Sequence, residues 1–246
     1  MAYLNGKKLI FAPKVVIAGE AKANLIDMKI ITENGCYEAS SEGADGYSSV
    51  HVVVPGADTI SNIASRQIDY LTLPTTTFIG QYAFASCSYL KTVDAPEVTG
   101  IGMAGFLACN GLKSVNFPKL VNISNASNQA YGVFANCVAL EQIELPSVDL
   151  IGSFAFLRCT SLKKVVIGSP ATIGANAFGS CSALDTLVID TSKGMPVLSA
   201  TSAFNGTKIG SNNGFIYTDN PEALKAEAVW INYAGIIKSK DELPTE

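Results

Sequence analysis

The sequence is poor in charge and in the residue types on which most active sites depend. Only 15% of its 246 residues are charged, and it contains one histidine and one tryptophan. The formal net charge is -4, and no basic cluster exceeds two residues, as at Lys7-Lys8, so nothing electrostatic favours a nucleic acid partner. No apolar run approaches the roughly 20 residues that a membrane helix needs. We therefore expect neither nucleic acid binding nor membrane insertion.

The amino-terminal segment resembles a secretory signal only in part. A signal peptide needs an unbroken apolar stretch of about 7–15 residues. Pro13 and Lys14 divide the apolar residues of LIFAPKVVIAG into two short pieces. No convincing signal peptide is therefore predicted, and a cleaved signal is kept as the alternative.

Sequence motifs of catalysis are also missing. Neither the G-x-S-x-G elbow of hydrolases nor the H-E-x-x-H motif of zinc proteases occurs. The single histidine, His51, lies in an alternating strand with no nucleophile nearby in the sequence. The run from Gly100 to Gly105 matches G-x-G-x-x-G, but two of its glycines recur as repeat positions and no βαβ unit surrounds it. We predict no enzyme activity, no catalytic residue and no cofactor, with a glycosidase-like pair of acids as the alternative left open.

What the sequence does contain is an internal repeat of 22 residues. Five cysteines recur at intervals of 22, 28, 22 and 22 residues, namely Cys87, Cys109, Cys137, Cys159 and Cys181. The 28-residue step is one ordinary unit with an insertion around 124–129. Aligning the units gives about six rungs, the last of which has Thr207 in place of cysteine. A repeat of this length predicts a solenoid, because a single unit cannot bury its own apolar side.

Each recurring position has a structural interpretation. Alternating apolar residues, as in Leu71 and Leu73, predict a half-buried strand, and in four rungs a proline such as Pro74 follows and ends it. An Ile-Gly step (Ile79-Gly80 in the first rung) predicts a second short strand or a tight turn. An Ala-Phe step such as Ala83-Phe84 predicts a short helical turn with its phenylalanine pointing inward. Stacking the rungs would make every position a continuous column.

The pattern L-x-x-V-x-L-P-x(4)-I-G-x-x-A-F-x-x-C resembles the BspA-like, or Treponema pallidum-type, leucine-rich repeats of bacterial surface proteins. The resemblance covers residues 63–210, with departures at Gly105, Val133, Gly168 and Asp190. It implies a β-rich, right-handed, curved leucine-rich-repeat solenoid with a role in adhesion or binding.

The cysteine column invites interpretation as a metal site or a ladder of disulfides. Metal ligands lie two to four residues apart, and a 22-residue spacing with one histidine offers no such cluster. Stacked cysteines come within disulfide range, but their parallel side chains point alongside one another. Cysteine is also a good small buried apolar residue. We predict free structural thiols and no metal.

The two ends differ from the repeat and predict three regions: 1–58 as an amino-terminal β module, 59–214 as the solenoid and 215–246 as a carboxyl-terminal cap. Within the first, 34–39 and 47–54 are predicted strands, and the segment resembles a small β module of tail proteins from phages of Gram-positive bacteria. In the cap, Asp219 or Asn220 is the predicted N-cap of a helix with Pro221 first. Leu224 and Trp230 would form its apolar face.

The outward positions of the long strands are the candidates for contact with a partner. They form two exposed columns that we call the outer ladder: Tyr70, Thr92, Ser114, Gln142, Lys164 and Thr186 in one, and Thr72, Asp94, Asn116, Glu144, Val166 and Val188 in the other. Val166 and Val188 mark either an apolar contact patch or a surface covered by the carboxyl-terminal helix. The loop 124–131, with Tyr131, is a second candidate contact. Ordinary solvated sheet surface is the alternative for all of them.

These features predict a non-enzymatic binding module that recognises a protein or glycan on a cell surface. The amino-terminal resemblance favours a phage tail-associated or receptor-binding component, and a secreted bacterial adhesin is the alternative. The expected location is accordingly virion-associated or extracellular. Self-assembly into a homo-oligomer is compatible with the sequence.

Overall fold

The computed structural model describes residues 69–168 and 171–245, and the backbone of four short strands before residue 69. The strands in chain order are β1 Tyr3–Leu4, β2 Lys7–Lys8, β3 His51–Val53, β4 Thr59–Ile60, β5 Tyr70–Thr72, β6 Phe78–Ile79, β7 Thr92–Asp94, β8 Gly100–Ile101, β9 Ser114–Asn116, β10 Asn122–Ile123, β11 Gln142–Leu145, β12 Leu150–Ile151, β13 Lys164–Ile167, β14 Thr172–Ile173, β15 Thr186–Ile189, β16 Val197–Leu198, β17 Phe215–Thr218 and β18 Ile237–Ser239. One α-helix, α1, spans Pro221–Ala226, and 3-10 helices span Gln129–Tyr131, Thr201–Phe204, Trp230–Ile236 and Lys240–Glu242.

Successive rungs pair in parallel, so the predicted β-rich solenoid is confirmed. The short strands β4, β6, β8, β10, β12, β14 and β16 form one continuous sheet. The long strands form a second layer with equivalent residues in register, such as Leu71 beside Val93. This second layer consists of two separate sheets, β3-β5-β7-β9 and β11-β13-β15-β17-β18.

The alternating pattern produces the long strands as predicted. Leu71 and Leu73 are buried, as are their equivalents Val93, Ala95, Val165 and Ile167, because alternate side chains of a strand point to opposite faces. The strand at 70–72 ends before Pro74, whose backbone nitrogen has no proton to donate to a ladder.

The predicted second short strand is also confirmed, and the glycine after it is required by close packing. A Cβ atom on Gly152 would lie 2.3 Å from the backbone oxygen of Ser124 in the preceding rung. On Gly174, it would lie 2.5 Å from the backbone nitrogen of Ser153. At these two rungs the neighbouring backbones approach too closely for a side chain.

A third layer consists of tight turns at the Ala-Phe steps. The prediction of a helical turn there is wrong for most rungs. The N–H of Ala83 donates to Gly80 within its own rung, whereas that of Phe84 donates across to Gly105 at 2.8 Å. Alternate residues thus pair between rungs, and Tyr82 and Ser86 adopt left-handed φ angles of 55° and 62°. Hydrogen bonds to the next rung replace those that would propagate a helix. Of the rungs that the structure describes, only the last forms a 3-10 helix at this position, at Thr201–Phe204.

The interior is organised by a stack of phenylalanine rings. Phe84, Phe106, Phe134, Phe156, Phe178 and Phe204 follow one another with centroid separations of 5.1–5.6 Å and interplanar angles of 3–13°. Each ring is fully buried. The Ala-Phe column therefore points inward as predicted, although its backbone is a turn.

The carboxyl-terminal cap forms largely as predicted. Asn220 is the N-cap of α1, accepting a hydrogen bond from the Ala223 N–H, and Pro221 is the first helical residue. Trp230 is 1% exposed, and its ring centroid lies 6.3 Å from that of Phe204. Its indole N–H donates to the carbonyl of Pro196 at 2.8 Å. The cap thus covers the last ring of the stack. It also adds two strands to the long-strand layer, β17 and β18, which the sequence pattern does not predict.

At the other end, sheet pairing begins before the predicted boundary at residue 58. The strand β3, within the predicted segment 47–54, pairs in parallel with β5, and β4 pairs with β6. Parallel pairing of the long strands thus extends across the predicted boundary at residue 58. The predicted strand at 34–39, Cys36 and the His51 side chain lie outside the described residues, and the three-region division stays a prediction.

Candidate functional site

The outer ladder follows the predicted register on both sides of the gap between the two long-strand sheets. Tyr70, Thr92 and Ser114 are neighbours in one column, as are Gln142, Lys164 and Thr186 beyond the gap. Thr72, Asp94 and Asn116 form the second column, followed by Glu144, Val166 and Val188. The structure therefore brings the predicted residues together in two groups of six.

The four polar residues where the two groups meet are more exposed than the ladder residues beside them. Ser114, Asn116, Gln142 and Glu144 are all exposed, whereas Thr92, Asp94, Lys164 and Thr186 are half-buried. In an unbroken sheet each side chain is shielded by the equivalent residue on both neighbouring strands. The four central residues lack that neighbour on one side.

The apolar end of the ladder differs from what the sequence predicts. Val188 is only 7% exposed, because Tyr217 of β17 lies beside it in register, and it offers little contact area. Helix α1 packs instead against β17, β18 and the 3-10 helix at 230–236. Val166 stays half-buried, and Phe215 is 41% exposed beneath the Lys238 ammonium, 4.1 Å from its ring centroid. A strand rather than the helix covers Val188.

Hydrogen bonds hold some ladder side chains and leave others free. Asn116 donates to the Asp94 carboxylate at 2.7 Å, and Ser114 donates to the Thr92 hydroxyl at 3.3 Å. Among the described residues, neither Gln142 nor Glu144 has a side-chain hydrogen bond or ion pair. The carboxylate of Glu144 is thus available to a ligand.

The long-strand layer is interrupted between β9 and β11, a feature we call the break. Elsewhere each rung donates to the preceding one just before its long strand, as Lys163 and Lys164 do to the carbonyl of Glu141 at 2.7 and 3.4 Å. Among the described residues, the N–H groups of Glu141 and Gln142 make no equivalent bond to the carbonyl of Lys113. One rung earlier, the Ala95 N–H donates to the Asn116 carbonyl at 3.0 Å. The Phe117 N–H makes no corresponding bond to the Glu144 carbonyl.

The break opens a cleft of about 220 Å³. Its apolar floor is formed by Val115 and Ile143, its polar rim by Ser114, Asn116, Gln142 and Glu144, and one end by Pro118 and Pro146. Val115 is half-buried, whereas its counterparts Val93 and Val165 are fully buried. Among the long strands of the described rungs, an inward position is thus reachable from solvent only at this rung.

Other layers remain intact across the break. The short strand β10 pairs with both β8 and β12, and the turn layer continues through the 2.8 Å bond from Phe106 N–H to Val133. The rungs are consequently held together on two sides while the third is open.

The second predicted contact, the loop 124–131, lies between the short-strand and turn layers. Its Asn125 side chain accepts from the Ser153 N–H at 2.8 Å. Tyr131 is half-buried, its carbonyl accepts from Ala104 at 2.9 Å, and its ring packs edge-on against Tyr82 at 6.0 Å. Tyr131 therefore has a packing role, while Ser127, Asn128 and Gln129 are exposed.

The cysteine column forms free, buried thiols, as predicted. Each thiol from the second rung onward donates to the phenylalanine carbonyl of the rung before, as Cys137 does to Phe106 at 3.2 Å and Cys181 to Phe156 at 2.9 Å. In the last rung, the Thr207 hydroxyl donates to the carbonyl of Phe204 at 2.7 Å, because no further rung supplies a cysteine to that carbonyl. Burial raises the pKa of Cys137 and Cys159 well above the ordinary thiol value.

Ion pairs join successive rungs beside the long strands, which sequence reasoning missed. Lys91 pairs with Asp69 at 3.0 Å, Lys163 with Glu141 at 2.9 Å and Lys208 with Asp185 at 2.9 Å. The hydrogen bond and charge of Lys163 lower the pKa of Glu141. The recurrence of opposite charges one repeat apart is a signal that could have predicted these pairs.

Parallel rungs, an inward phenylalanine stack and an outward polar ladder define a solenoid of the leucine-rich-repeat class. More specifically, the chain belongs to the BspA type leucine rich repeat family, whose model matches six copies over residues 61–185 and 130–212. No curated protein matches the chain detectably in sequence.

Solved structures similar to part of the chain include three leucine-rich-repeat proteins. One, titled a leucine rich cell surface protein from Faecalibacterium prausnitzii, is 25% identical over 66% of this chain, with a TM-score of 0.46. The leucine rich repeat protein of T. pallidum is 22% identical over 72% of this chain and 77% of its own, with a TM-score of 0.49. One from Bacteroides ovatus is 15% identical over 85% of this chain and 64% of its own, with a TM-score of 0.32. The chain spans 38% of the length of the first.

No helix among the described residues has the length and apolar character to cross a membrane.

Proposed function

We propose that this protein is a non-enzymatic binding module of the bacterial cell surface, which recognises a protein or a glycan through the outer ladder. The observation that carries the proposal is the row of exposed polar side chains Ser114, Asn116, Gln142 and Glu144 on one solvent-facing layer. Solenoids use such extended faces to bind partners. Membership of the BspA type family supports a role at the cell surface.

Packing assigns the other recurring positions to the interior. The phenylalanine and cysteine columns and the inward residues of the long strands are buried, with Val115 the partial exception. Side chains that fill the core cannot also contact a partner. Recognition is thereby restricted to outward positions, of which the outer ladder forms one regular array.

The absence of enzyme activity is part of the proposal. Among the described residues, no group of three histidine, cysteine or acidic side chains could hold a metal ion. The acid nearest in sequence to Glu144, Glu141, is already paired with Lys163. Purified protein is therefore expected to leave cell-wall and host glycans intact, and turnover abolished by changing one acid would contradict this part.

Of the two settings predicted from the sequence, we propose the bacterial adhesin. The phage-tail setting, which the sequence favours, depends on the segment before residue 58, and the comparisons with known proteins give it no support. Phage tail and lysis genes flanking this one would reverse that choice.

The test of the proposed function is binding by a ladder variant in which Asp94, Asn116, Gln142 and Glu144 are all changed to alanine. The matched control changes the exposed residues Asn122, Asp149, Asn205 and Glu222, which lie outside the long strands, and removes the same charge. Both proteins and the wild type are applied to a glycan array and to immobilised host surface proteins. Binding lost only in the ladder variant supports the proposal, and binding unchanged in it removes these columns from consideration.

A further inference from the structure

The break leaves backbone hydrogen-bonding groups without partners on two strand edges that face each other. The N–H groups of Glu141, Gln142 and Phe117 and the carbonyl of Lys113 lack the bonds that their counterparts make in other described rungs. A peptide backbone offers the same groups in return, which is how extended segments add to exposed strand edges. The break therefore favours a partner that carries an extended peptide.

The size of the cleft restricts what can enter it. Pockets for drug-sized ligands measure about 300–1,000 Å³, and this cleft holds about 220 Å³. A single long side chain suits that volume better than an oligosaccharide. Its only aromatic lining residue, Phe117, is 1% exposed and offers no ring face on which a sugar could stack.

The chemistry of the lining favours a basic side chain. Val115 and Ile143 form an apolar floor, and Glu144 places an unpaired carboxylate on the rim. Lysine and arginine bury an apolar stem while keeping a cationic head in polar surroundings. The nearby acids Asp94 and Glu141 are already bonded, to Asn116 and Lys163 respectively.

We propose that the cleft between β9 and β11 binds a lysine or arginine side chain of an extended segment in a partner protein. The stem lies over Val115 and the cationic head binds the Glu144 carboxylate, while the segment's backbone runs along the open strand edges outside the cleft. This inference rests on the proposed function and narrows its partner from protein or glycan to a protein with a basic residue in an extended segment.

The experiment is selection of a random dodecapeptide library on the whole protein, with Glu144→Gln and Asp149→Asn as paired variants. Both substitutions remove one exposed acid, but Asp149 lies beside the short strand β12. We expect the wild type to enrich peptides with lysine or arginine at one fixed position. Glu144→Gln should weaken their binding about tenfold, which corresponds to about 1.4 kcal/mol, and Asp149→Asn should leave it unchanged.

Three outcomes of the peptide selection would overturn the inference: no enrichment, enrichment without a basic residue, or equal binding to Glu144→Gln. Its failure is distinguishable from failure of the proposed function. Even if no basic peptide is selected, the wild type can still bind a glycan or host protein and lose that binding in the four-residue ladder variant. Glycan binding abolished by Glu144→Gln would assign the cleft to a sugar and likewise overturn it. Equal melting temperatures of the two single variants establish that each is folded.

Discussion

At the scale of residues, the molecule depends on equivalent side chains that stack from rung to rung. The phenylalanine ring centroids lie 5.1–5.6 Å apart, and each buried thiol from the second rung onward donates to the phenylalanine carbonyl of the rung before. A ring removed from the middle of the column leaves a cavity lined by its two neighbours, since cores are too closely packed to collapse around it.

We expect Phe134→Ala to lower the free energy of unfolding by about 3–5 kcal/mol, because Phe134 is fully buried between Phe106 and Phe156. The control Phe215→Ala removes a ring that is 41% exposed and should cost much less. Urea unfolding followed by circular dichroism measures both. Equal losses in the two variants would mean that the stack is not a special source of stability.

The thiols predict a dependence of stability on pH. Burial raises the pKa of Cys137 and Cys159 in the folded protein. The stability due to these neutral thiols is therefore complete below the unfolded thiol pKa of about 8.5 and is lost as pH rises towards the raised folded values. Each thiol contributes a slope of up to about 1.4 kcal/mol per pH unit in that window.

Urea unfolding between pH 7 and pH 10 should show this decline. The double variant Cys137→Ala, Cys159→Ala should show a shallower decline above pH 8.5, although it begins less stable. A slope identical to that of the wild type would exclude these thiols as its cause.

At the scale of elements, the sequence predicts the strands better than the turns. Alternation and proline at positions such as Leu71, Leu73 and Pro74 identify the long strands, and Asn220 with Pro221 identifies the start of α1. The turn layer escapes prediction because Tyr82 and Arg158, whose residue types do not favour left-handed φ angles, adopt them to pair with the next rung. Inter-rung hydrogen bonds, which no local pattern encodes, override the local preference.

This conformation makes Arg158→Gly a favourable substitution. Arg158 is exposed and has φ of 60°, which costs a non-glycine residue about 1–2 kcal/mol. Glycine removes that cost but loses about 0.5–1 kcal/mol through its freedom in the unfolded chain, so the protein should be equally stable or slightly more stable. The comparison variant Lys113→Gly, at an exposed position without positive φ, should lose stability. Thermal unfolding of both tests this, and an equal loss in both would contradict the assigned turn.

At the scale of the whole molecule, the solenoid is continuous in two layers and open in the third. The 28-residue repeat step predicts a surface loop, and that loop indeed tethers itself to the next rung through Asn125 and Ser153. The break is not predictable in the same way, because Ser114–Asn116 and Gln142–Leu145 show the ordinary strand pattern. Whether they pair depends on how whole rungs lie relative to one another, which the strand pattern does not encode. The strand pattern therefore predicts the exposed positions Ser114, Asn116, Gln142 and Glu144, but not the cleft between them.

Amide hydrogen exchange, resolved by residue, tests the break most directly. Backbone amides in hydrogen bonds between strands exchange slowly, and those open to solvent exchange fast. We predict rapid exchange at Glu141, Gln142 and Phe117, with strong protection at their paired counterparts Lys163, Thr186 and Ala95. Equal protection in the two sets would mean that β9 and β11 pair like all other rungs, and it would remove the cleft on which the inferred recognition depends.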